Sequence, residues 1–195
     1  MLLAFSVTNC YINFVKFRGC IIMDFFIRPI NIGDGKGINE LRRMPGVFEN
    51  ILGIPSERIK RNEDFIANID NNIHQFVAVT KGQNGEEIII GTASLSVNAN
   101  HRLRHSASIG IMVHVDYQNN GVGTALMKAI IDIADNWLML VRVELTVFED
   151  NKKAIYLYEK FGFVKEGIKR LGGIRAGRYV NEFLMARINP SMKNI

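Results

Sequence analysis

The sequence predicts one domain of the α/β (α+β) class, and three observations support this prediction. Segments with the two-residue period of a strand alternate with segments that have the 3.6-residue period of a helix. The 195 residues, of which 48% are hydrophobic, fit one domain or slightly more. The chain also lacks internal repeats and any linker-like stretch rich in Pro or Gly.

The composition limits the classes of partner and the compartment. A formal net charge of +5 favours anionic partners, and it suits phosphate-bearing small molecules as well as nucleic acid. Cys10 and Cys20 alone are too few for a disulfide framework or a four-ligand zinc site. We therefore expect no metal and a cytoplasmic location. No apolar run reaches the ~18 residues of a membrane span, so no membrane partner is expected.

Residues 1–22 are apolar, but polar and charged residues interrupt them. The charge follows the apolar part, which is the reverse of a secretory signal. Because Met23 directly precedes a strand-like run, our hypothesis is that translation starts there and that 1–22 is an upstream extension or a mobile tail. The alternative is an extra strand or a partner-binding arm. The predicted domain is 23–190, and 191–195 is a C-terminal tail.

In the first half, strand-like runs and two helical stretches precede a conspicuous glycine motif. A helix is predicted to end at Pro45-Gly46, and Ser56 is predicted to cap the second helix. The sequence 82–85, Gly-Gln-Asn-Gly, predicts a hairpin turn. The predicted elements are a strand at 25–30, helices at 38–44 and after 56, and strands at 76–79, 87–97 and 106–115.

The second half predicts two helices and three strands. Apolar residues at helical spacing predict a helix over 122–137, with Trp137 on its apolar stripe. Strict alternation over 141–147 predicts a half-buried strand. A helix over 152–161 ends at Gly162, and strands follow at 163–166 and 179–188 with glycines between them. The predicted order is β–α–α–β–β–β–α–β–α–β–β.

The segment from Gln118 to Gly123 lies between a predicted strand and a predicted helix. Glycines let backbone N–H groups approach an anion, and a helix N-terminus offers unpaired donors, so this element is predicted to hold a pyrophosphate. A dinucleotide fingerprint would need a third glycine where Leu126 stands, and a Walker loop would need Gly-Lys-Ser/Thr. The alternative is a helix start with glycines for close packing.

The pattern Gln118-x-x-Gly121-x-Gly123 resembles motif A of the GNAT superfamily of acyl-CoA N-acyltransferases. Residues 151–163 resemble its Asn-x-x-Ala-x-x-x-Tyr-Glu-x-x-Gly-Phe signature, and the resemblance covers about 25–188. It implies a central, mixed, mostly antiparallel twisted sheet, splayed at the cofactor site and flanked by helices. Short segments at 135–137, 144–148 and 179–182 are similar to bacterial L-amino-acid N-acetyltransferases.

The resemblance implies transfer of acetyl from acetyl-CoA, as co-substrate, to a primary amine of a small molecule, with an L-amino acid as the expected acceptor. Asn151 would bond the cofactor arm, and Tyr158 would contact the cofactor and protonate the leaving thiolate. A phenol of pKa ~10 can donate to a thiolate of pKa ~8.5. The alternative for Tyr158 is a core aromatic. The other implied cofactor-binding residues are Ile111, Met112 and Val113 for the pantetheine arm, with Met112 or Val113 facing the oxyanion, and Gln118, Asn119, Asn120, Gly121, Val122, Gly123 and Thr124 for the pyrophosphate.

The general base is predicted from a departure from the family pattern. Where many members place a glutamate, this chain has Thr146, and Glu144 lies on the same face two residues earlier. We predict that Glu144 acts through a water, with a water chain alone as the alternative. His114 is predicted to point away from its neighbours on the strand. The apolar segment 47–55 is predicted to bind the acceptor and favours an apolar side chain over a polyamine.

Several other functions stay open from the sequence alone. They are acetylation of protein N-termini or lysines, acetylation of polyamines, and a non-catalytic acyl-CoA sensor. A sensor would need the glycine motif but not Tyr158. A nucleic-acid partner is not expected, because the aromatic residues follow core patterns and the basic turn 101–105 is typical of a solvated hairpin. A homodimer stays open.

Overall fold

The computed structural model describes residues 12–14 and 24–192, which form one eight-stranded sheet and four α-helices. In chain order the elements are β1 (Ile12–Phe14), β2 (Phe25–Pro29), α1 (Gly35–Arg42), α2 (Ile59–Ala67), β3 (Ile73–Lys81), β4 (Glu87–Val97), β5 (Ser106–Val113), α3 (Val122–Asp132), β6 (Arg142–Phe148), α4 (Lys152–Lys160), β7 (Val164–Arg175) and β8 (Arg178–Ile188).

The strand order is β1-β2-β3-β4-β5-β6-β8-β7, and every pair is antiparallel except β5 with β6. These two parallel strands pair only from Ser106–Ser108 to Arg142–Glu144. Beyond that point β5 continues against β4 and β6 continues against β8. The two strands therefore diverge, and we call the opening between them the gap. The mixed, mostly antiparallel sheet with a splay is the predicted architecture.

Two apolar layers cover the sheet. On one face, α3 and α4 bury residues such as Leu126, Ile130 and Ile155 in the larger core. On the other face, Ile38 of α1 and Ile66 of α2 pack with Val77 of β3 in a smaller core. The gap therefore opens with one helix pair on each side of the sheet.

Short polar motifs fix the ends of the elements next to the gap. The Asn151 side chain accepts a hydrogen bond from the backbone N–H of Ala154 at 3.2 Å and caps α4. Gly162 ends the same helix with a φ of +86°, a left-handed conformation that favours glycine. The predicted hairpin turn at 82–85 closes with a bond from the Gly85 N–H to the Gly82 carbonyl.

Three predictions about the bounds of elements are wrong in detail. Arg58 precedes α2 at the cap position, so Ser56 is not its cap. Helix α1 begins at Gly35 rather than at 38. Strand β7 was predicted to end at 166, but it runs on to Arg175. Its pairing with β8 is irregular between Lys169 and Gly173, and the glycines there do not end the strand.

The predicted helix 122–137 changes period before it ends. The α-helix stops at Asp132, and residues Ile133–Trp137 form a π turn in which the Leu138 N–H bonds the Ile133 carbonyl. The wider turn rotates the following side chains out of the stripe. Trp137 is therefore 75% exposed instead of buried.

The hypothesis about residues 1–22 falls mostly outside the described residues. Within them, Ile12–Phe14 pairs antiparallel with Phe25–Ile27. The start at Met23 and the tail boundary at 191 stay predictions. None of the helices in the described part of the chain is long and apolar enough to cross a membrane.

We expect Arg187→Ala to destabilise the fold by about 3 kcal/mol, since it leaves a carboxylate unpaired in a mostly buried site. Arg187 on β8 donates two hydrogen bonds of 2.7 Å to Asp135 and one of 3.0 Å to the Phe161 carbonyl. Equilibrium unfolding in urea measures the change. Lys60→Ala, which removes an exposed ion pair with Asp64, is the control and should leave the midpoint unchanged. Equal midpoints for both variants would contradict the prediction.

Candidate active site

A cavity of about 1690 Å³ fills the gap and extends along α3 and α4. We call it the main cavity. Of the predicted site residues, only Val122 does not line it, because its side chain is fully buried in the larger core. The lining residues predicted from the sequence are Ile111, Met112, Val113, Gln118, Asn119, Asn120, Gly121, Gly123, Thr124, Glu144, Asn151 and Tyr158.

The edge of β5 offers backbone groups to the gap at alternate residues only. The His114 N–H bonds the Ile90 carbonyl of β4, and the register between β4 and β5 is regular. In an antiparallel ladder the N–H and C=O groups alternate between the two sides. Those of Met112 therefore face β4, and those of Ile111 and Val113 face the gap. This corrects the expectation that the backbone of Met112 would bond the pantetheine arm or stabilise an oxyanion.

The backbone from Asn119 to Thr124 forms a concave turn in front of α3, which we call the cradle. In the described part of the chain, none of its N–H groups donates to a backbone or side-chain acceptor. Asn119 and Gly121, on either side of Asn120, have left-handed φ values of +62° and +90°. Alternating right-handed and left-handed residues turn neighbouring N–H groups towards one point. The cradle therefore presents unpaired donors at a helix N-terminus, which suits a phosphate.

Gly123 lies where α3 approaches α4. A Cβ at this position would lie 3.2 Å from Cδ2 of Leu157, which is a tight contact. The close-packing alternative therefore describes Gly123, whereas Gly121 has open space on its Cβ side. The two glycines of the motif meet different physical demands.

Lysines at the start of α4 add positive charge beside the cradle, and they were not among the residues predicted for the site. Lys152 and Lys153 line the main cavity, as does Lys160 at the other end of the helix. The Lys153 ammonium donates to the Gln118 side chain at 3.3 Å, and Gln118 in turn donates to the Val113 carbonyl at 3.2 Å. Their signal in the sequence was the Lys-Lys pair directly after Asn151.

Asn151, which caps α4, and Tyr158 on α4 lie along the other wall of the gap. The Oδ1 atom of Asn151 is used in the helix cap, which leaves its NH2 group as a donor towards the cavity. Tyr158 is buried, and its ring packs against Phe163 with centroids 5.9 Å apart. Burial raises the pKa of Tyr158 above its ordinary value. The tyrosine is thus both a core aromatic and a cavity group that stays protonated.

Glu144 lies at the last paired position of β5 and β6, at the base of the gap. Its carboxylate accepts a 2.9 Å hydrogen bond from Nε of Arg142, whose remaining nitrogens bond Glu166. The adjacent arginine lowers the pKa of Glu166. Glu182 of β8 is a buried carboxylate in the same cavity wall, and it lies 3.4 Å from the Lys169 ammonium. No role was predicted for Glu182 from the sequence.

Part of the apolar segment 47–55, which was predicted to bind the acceptor, lines the main cavity. Val47, Ile51 and Leu52 line the cavity, and Val47 is buried while Leu52 is exposed. His114 lies nearby, and its Nδ1 accepts a hydrogen bond from the Asp116 N–H. The histidine therefore stabilises the turn after β5.

Comparisons with known proteins agree with this geometry. Residues 44–163 match the model of the Acetyltransferase (GNAT) family. The chain is 34% identical over 165 residues to the L-amino acid N-acetyltransferase AaaT of Escherichia coli, covering 85% of this chain and 98% of that protein. It is 28% identical over 143 residues to the spermidine N(1)-acetyltransferase of Vibrio cholerae, covering 72% and 79% of the two chains.

Solved structures lead to the same assignment. The crystal structure of spermidine N-acetyltransferase from Vibrio cholerae in complex with CoA and spermine superposes with a TM-score of 0.72 at 26% identity, covering 85% of this chain and 95% of that one. A GNAT-family acetyltransferase from Streptococcus pneumoniae gives a TM-score of 0.70 at 25% identity, covering 84% and 98%. The splayed sheet, the two motifs and these matches together show that the chain belongs to the GNAT family of acetyltransferases.

Proposed function

We propose that this chain transfers the acetyl group of acetyl-CoA to the amine of a small molecule, an L-amino acid. The observation that carries the proposal is the continuity of the gap. It begins at the unpaired N–H groups of the cradle, follows the open edge of β5 and ends at Tyr158 and Glu144. A co-substrate with a pyrophosphate, an extended amide arm and a thioester presents matching groups in that order. The cysteine content favours a cytoplasmic setting.

The residues of the chain fit this co-substrate on their own chemistry. Cradle N–H groups and the lysines of α4 would hold the pyrophosphate. Ile111 and Val113 would bond the amide arm as an added strand, and the Asn151 NH2 group would donate to it. Acetyl-CoA supplies the activated acyl group, and every other contribution in this proposal comes from protein groups.

The reaction we propose is direct attack of the amine on the thioester carbonyl. A C–N bond forms while the C–S bond breaks, and the backbone N–H of Ile111 or Val113 would stabilise the oxyanion. Tyr158 would donate its proton to the departing sulfur and regain a proton from solvent, and its raised pKa keeps the phenol protonated between turnovers. The proton lost by the amine would leave through water to Glu144 or to solvent.

The acceptor is proposed from one relative and one electrostatic observation. AaaT, the relative that covers 85% of this chain, is named for L-amino acids. A polyamine would need unpaired carboxylates. Here Glu144 and Glu166 share Arg142, Glu182 faces Lys169, and Asp150 is paired with Arg175. Carboxylates already neutralised by the chain's own cations attract a polycation weakly, so these pairs favour an amino acid.

Thiol release from acetyl-CoA against a panel of amines tests the proposal. The panel contains common L-amino acids, spermidine, spermine and short peptides. We expect release with apolar L-amino acids, because Val47, Ile51 and Leu52 contribute apolar side chains to the lining of the main cavity. Release with polyamines alone would overturn the acceptor assignment, and CoA binding without release for any amine would favour the acyl-CoA sensor.

A further inference from the structure

A second, smaller pocket of about 240 Å³ opens beside the main cavity on the face covered by α1 and α2. We call it the side pocket. Ile51, Gly110, Ile111 and Met112 line both cavities, so the two cavities share a wall formed mainly by β5. The shared wall includes Ile111, whose N–H faces the gap. A small acceptor with its amine at the gap would lie next to this shared wall.

The floor of the side pocket is a row of residues across three strands. Gly110 of β5 pairs with Ser94 of β4, and Ser94 pairs with Gln75 of β3. Paired residues in antiparallel strands project from the same face, and strands lie ~4.8 Å apart. Because Gly110 has no side chain, the row is open at the gap and leads to polar groups about one and two strand spacings away.

Arg42 at the end of α1 is the charged residue among those that line the side pocket. Its Nε and Nη2 atoms donate to the two carboxylate oxygens of Glu57, whose side chain is buried. Asn62 also donates to Glu57, at 3.0 Å. These hydrogen bonds, above all that of Arg42, lower the pKa of Glu57, so the pair stays ionised and holds the guanidinium in place.

Glu57 leaves one arm of this guanidinium available. Within the described residues, Nη1 of Arg42 has no acceptor. The acidic residues of the main cavity wall are absent from the lining of the side pocket. An oriented guanidinium that keeps one free N–H group beyond its pairing with Glu57 suits an anionic group of the ligand.

Gln75 shows that the floor still lacks a hydrogen-bond donor. Thr92 donates its hydroxyl proton to the Phe76 carbonyl at 2.8 Å, so it can only accept the 3.0 Å bond from the Gln75 amide nitrogen. This fixes the orientation of the amide. Its Oε1 atom is buried without a partner in the described part of the chain. A buried carbonyl oxygen without a donor is costly, so water or a ligand group has to supply one.

We infer that the side pocket recognises the carboxylate of the acceptor, with Arg42 as the specificity-determining residue. This inference rests on the proposed function and extends it, because it names the residue that recognises the carboxylate of the acceptor. In this arrangement the amine lies at the gap beside Ile111, and the carboxylate bonds Nη1 of Arg42. A water that donates one hydrogen bond to the carboxylate and one to Oε1 of Gln75 would give that amide oxygen its missing donor.

The test varies the acceptor and the arginine together. Three acceptors share one side chain: an L-amino acid, its primary carboxamide, and the amine that lacks the carboxyl group. The main variant is the double substitution Arg42→Gln with Glu57→Gln, which removes the ion pair without leaving a buried charge. Arg42→Lys keeps the positive charge but loses the planar guanidinium with its several N–H donors. Arg43→Gln is the matched control, since Arg43 is the next residue and bonds the Pro55 carbonyl on the surface.

For the wild type and Arg43→Gln, kcat/KM should favour the amino acid over its carboxamide by about tenfold or more, as expected for a hydrogen-bonded charge pair. In the double variant we expect this preference to fall below about threefold, with CoA affinity unchanged. The preference of Arg42→Lys for the amino acid should lie between that of the wild type and that of the double variant. An undiminished preference in the double variant would overturn the inference.

If the proposed function is wrong, the same kinetic experiment gives a different result. In that case the wild type acetylates none of the three compounds. Calorimetric titration of the same compounds into the CoA-loaded protein then tests the side pocket without turnover. Tighter binding of the amino acid than of its carboxamide, lost in the double variant, supports the inference. Equal binding of the two compounds by the wild type overturns it.

Discussion

Replacing Tyr158 with Phe should lower kcat by about a hundredfold or more while CoA binding stays intact, because the substitution removes a general acid. The change deletes one oxygen atom and keeps the ring that packs against Phe163. In the described part of the chain the hydroxyl has no hydrogen-bond partner, so its loss leaves no protein group unsatisfied. The free energy of unfolding should therefore change little. Steady-state kinetics and titration calorimetry with CoA measure the two effects.

The pH profile separates this role from a structural one. Burial raises the pKa of Tyr158, so the folded protein keeps the phenol neutral beyond the ordinary value of ~10. The wild-type kcat should therefore show no decline as the pH rises towards 10. Tyr179→Phe is the control, since Tyr179 is 68% exposed on β8 outside the main cavity. Unchanged turnover in Tyr158→Phe would remove this residue from catalysis.

Local signals in the sequence predicted most of the fold. The alternation in β6 and the glycine after α4 depend on a few neighbouring residues, and the structure has both of these elements. The order of helices and strands over 25–188 followed from such signals. The observed bounds of these helices and strands differ from the predicted ones where tertiary contacts determine the end of an element, as in the long strand β7.

The features that sequence reasoning missed depend on register or on distant contacts. The direction of the Met112 backbone groups depends on which residue of β4 lies opposite, and no pattern within β5 fixes this. The π turn before Trp137 changes the helical period within one turn. Arg42 and Gln75 are far apart in the chain and line the same pocket only because α1 packs against the sheet. The ion pairs of Glu144 and Glu182 likewise depend on the way the strands are paired.

Gly121→Val should weaken CoA binding by about a hundredfold, which corresponds to about 2.7 kcal/mol. Gly121 has a φ of +90°, where a β-branched residue is strained, so valine would turn the cradle out of its conformation. The N–H groups from Asn119 to Thr124 would then no longer point to one position. Each hydrogen bond to a phosphate oxygen that is lost costs ~1.5–3 kcal/mol, so one or two lost bonds account for the expected effect.

The chain provides a closely matched control for this substitution. Gly85 in the hairpin between β3 and β4 has a φ of +84° and, like Gly121, open space within 4 Å of the position that a Cβ atom would take. Gly85→Val therefore carries a similar backbone strain of ~1–2 kcal/mol outside the main cavity. We expect both variants to lose similar stability in urea unfolding, whereas CoA titration should show weaker binding for Gly121→Val only. If the two variants bound CoA with equal affinity, the cradle would not hold the pyrophosphate. Backbone strain alone would then account for the whole effect of Gly121→Val.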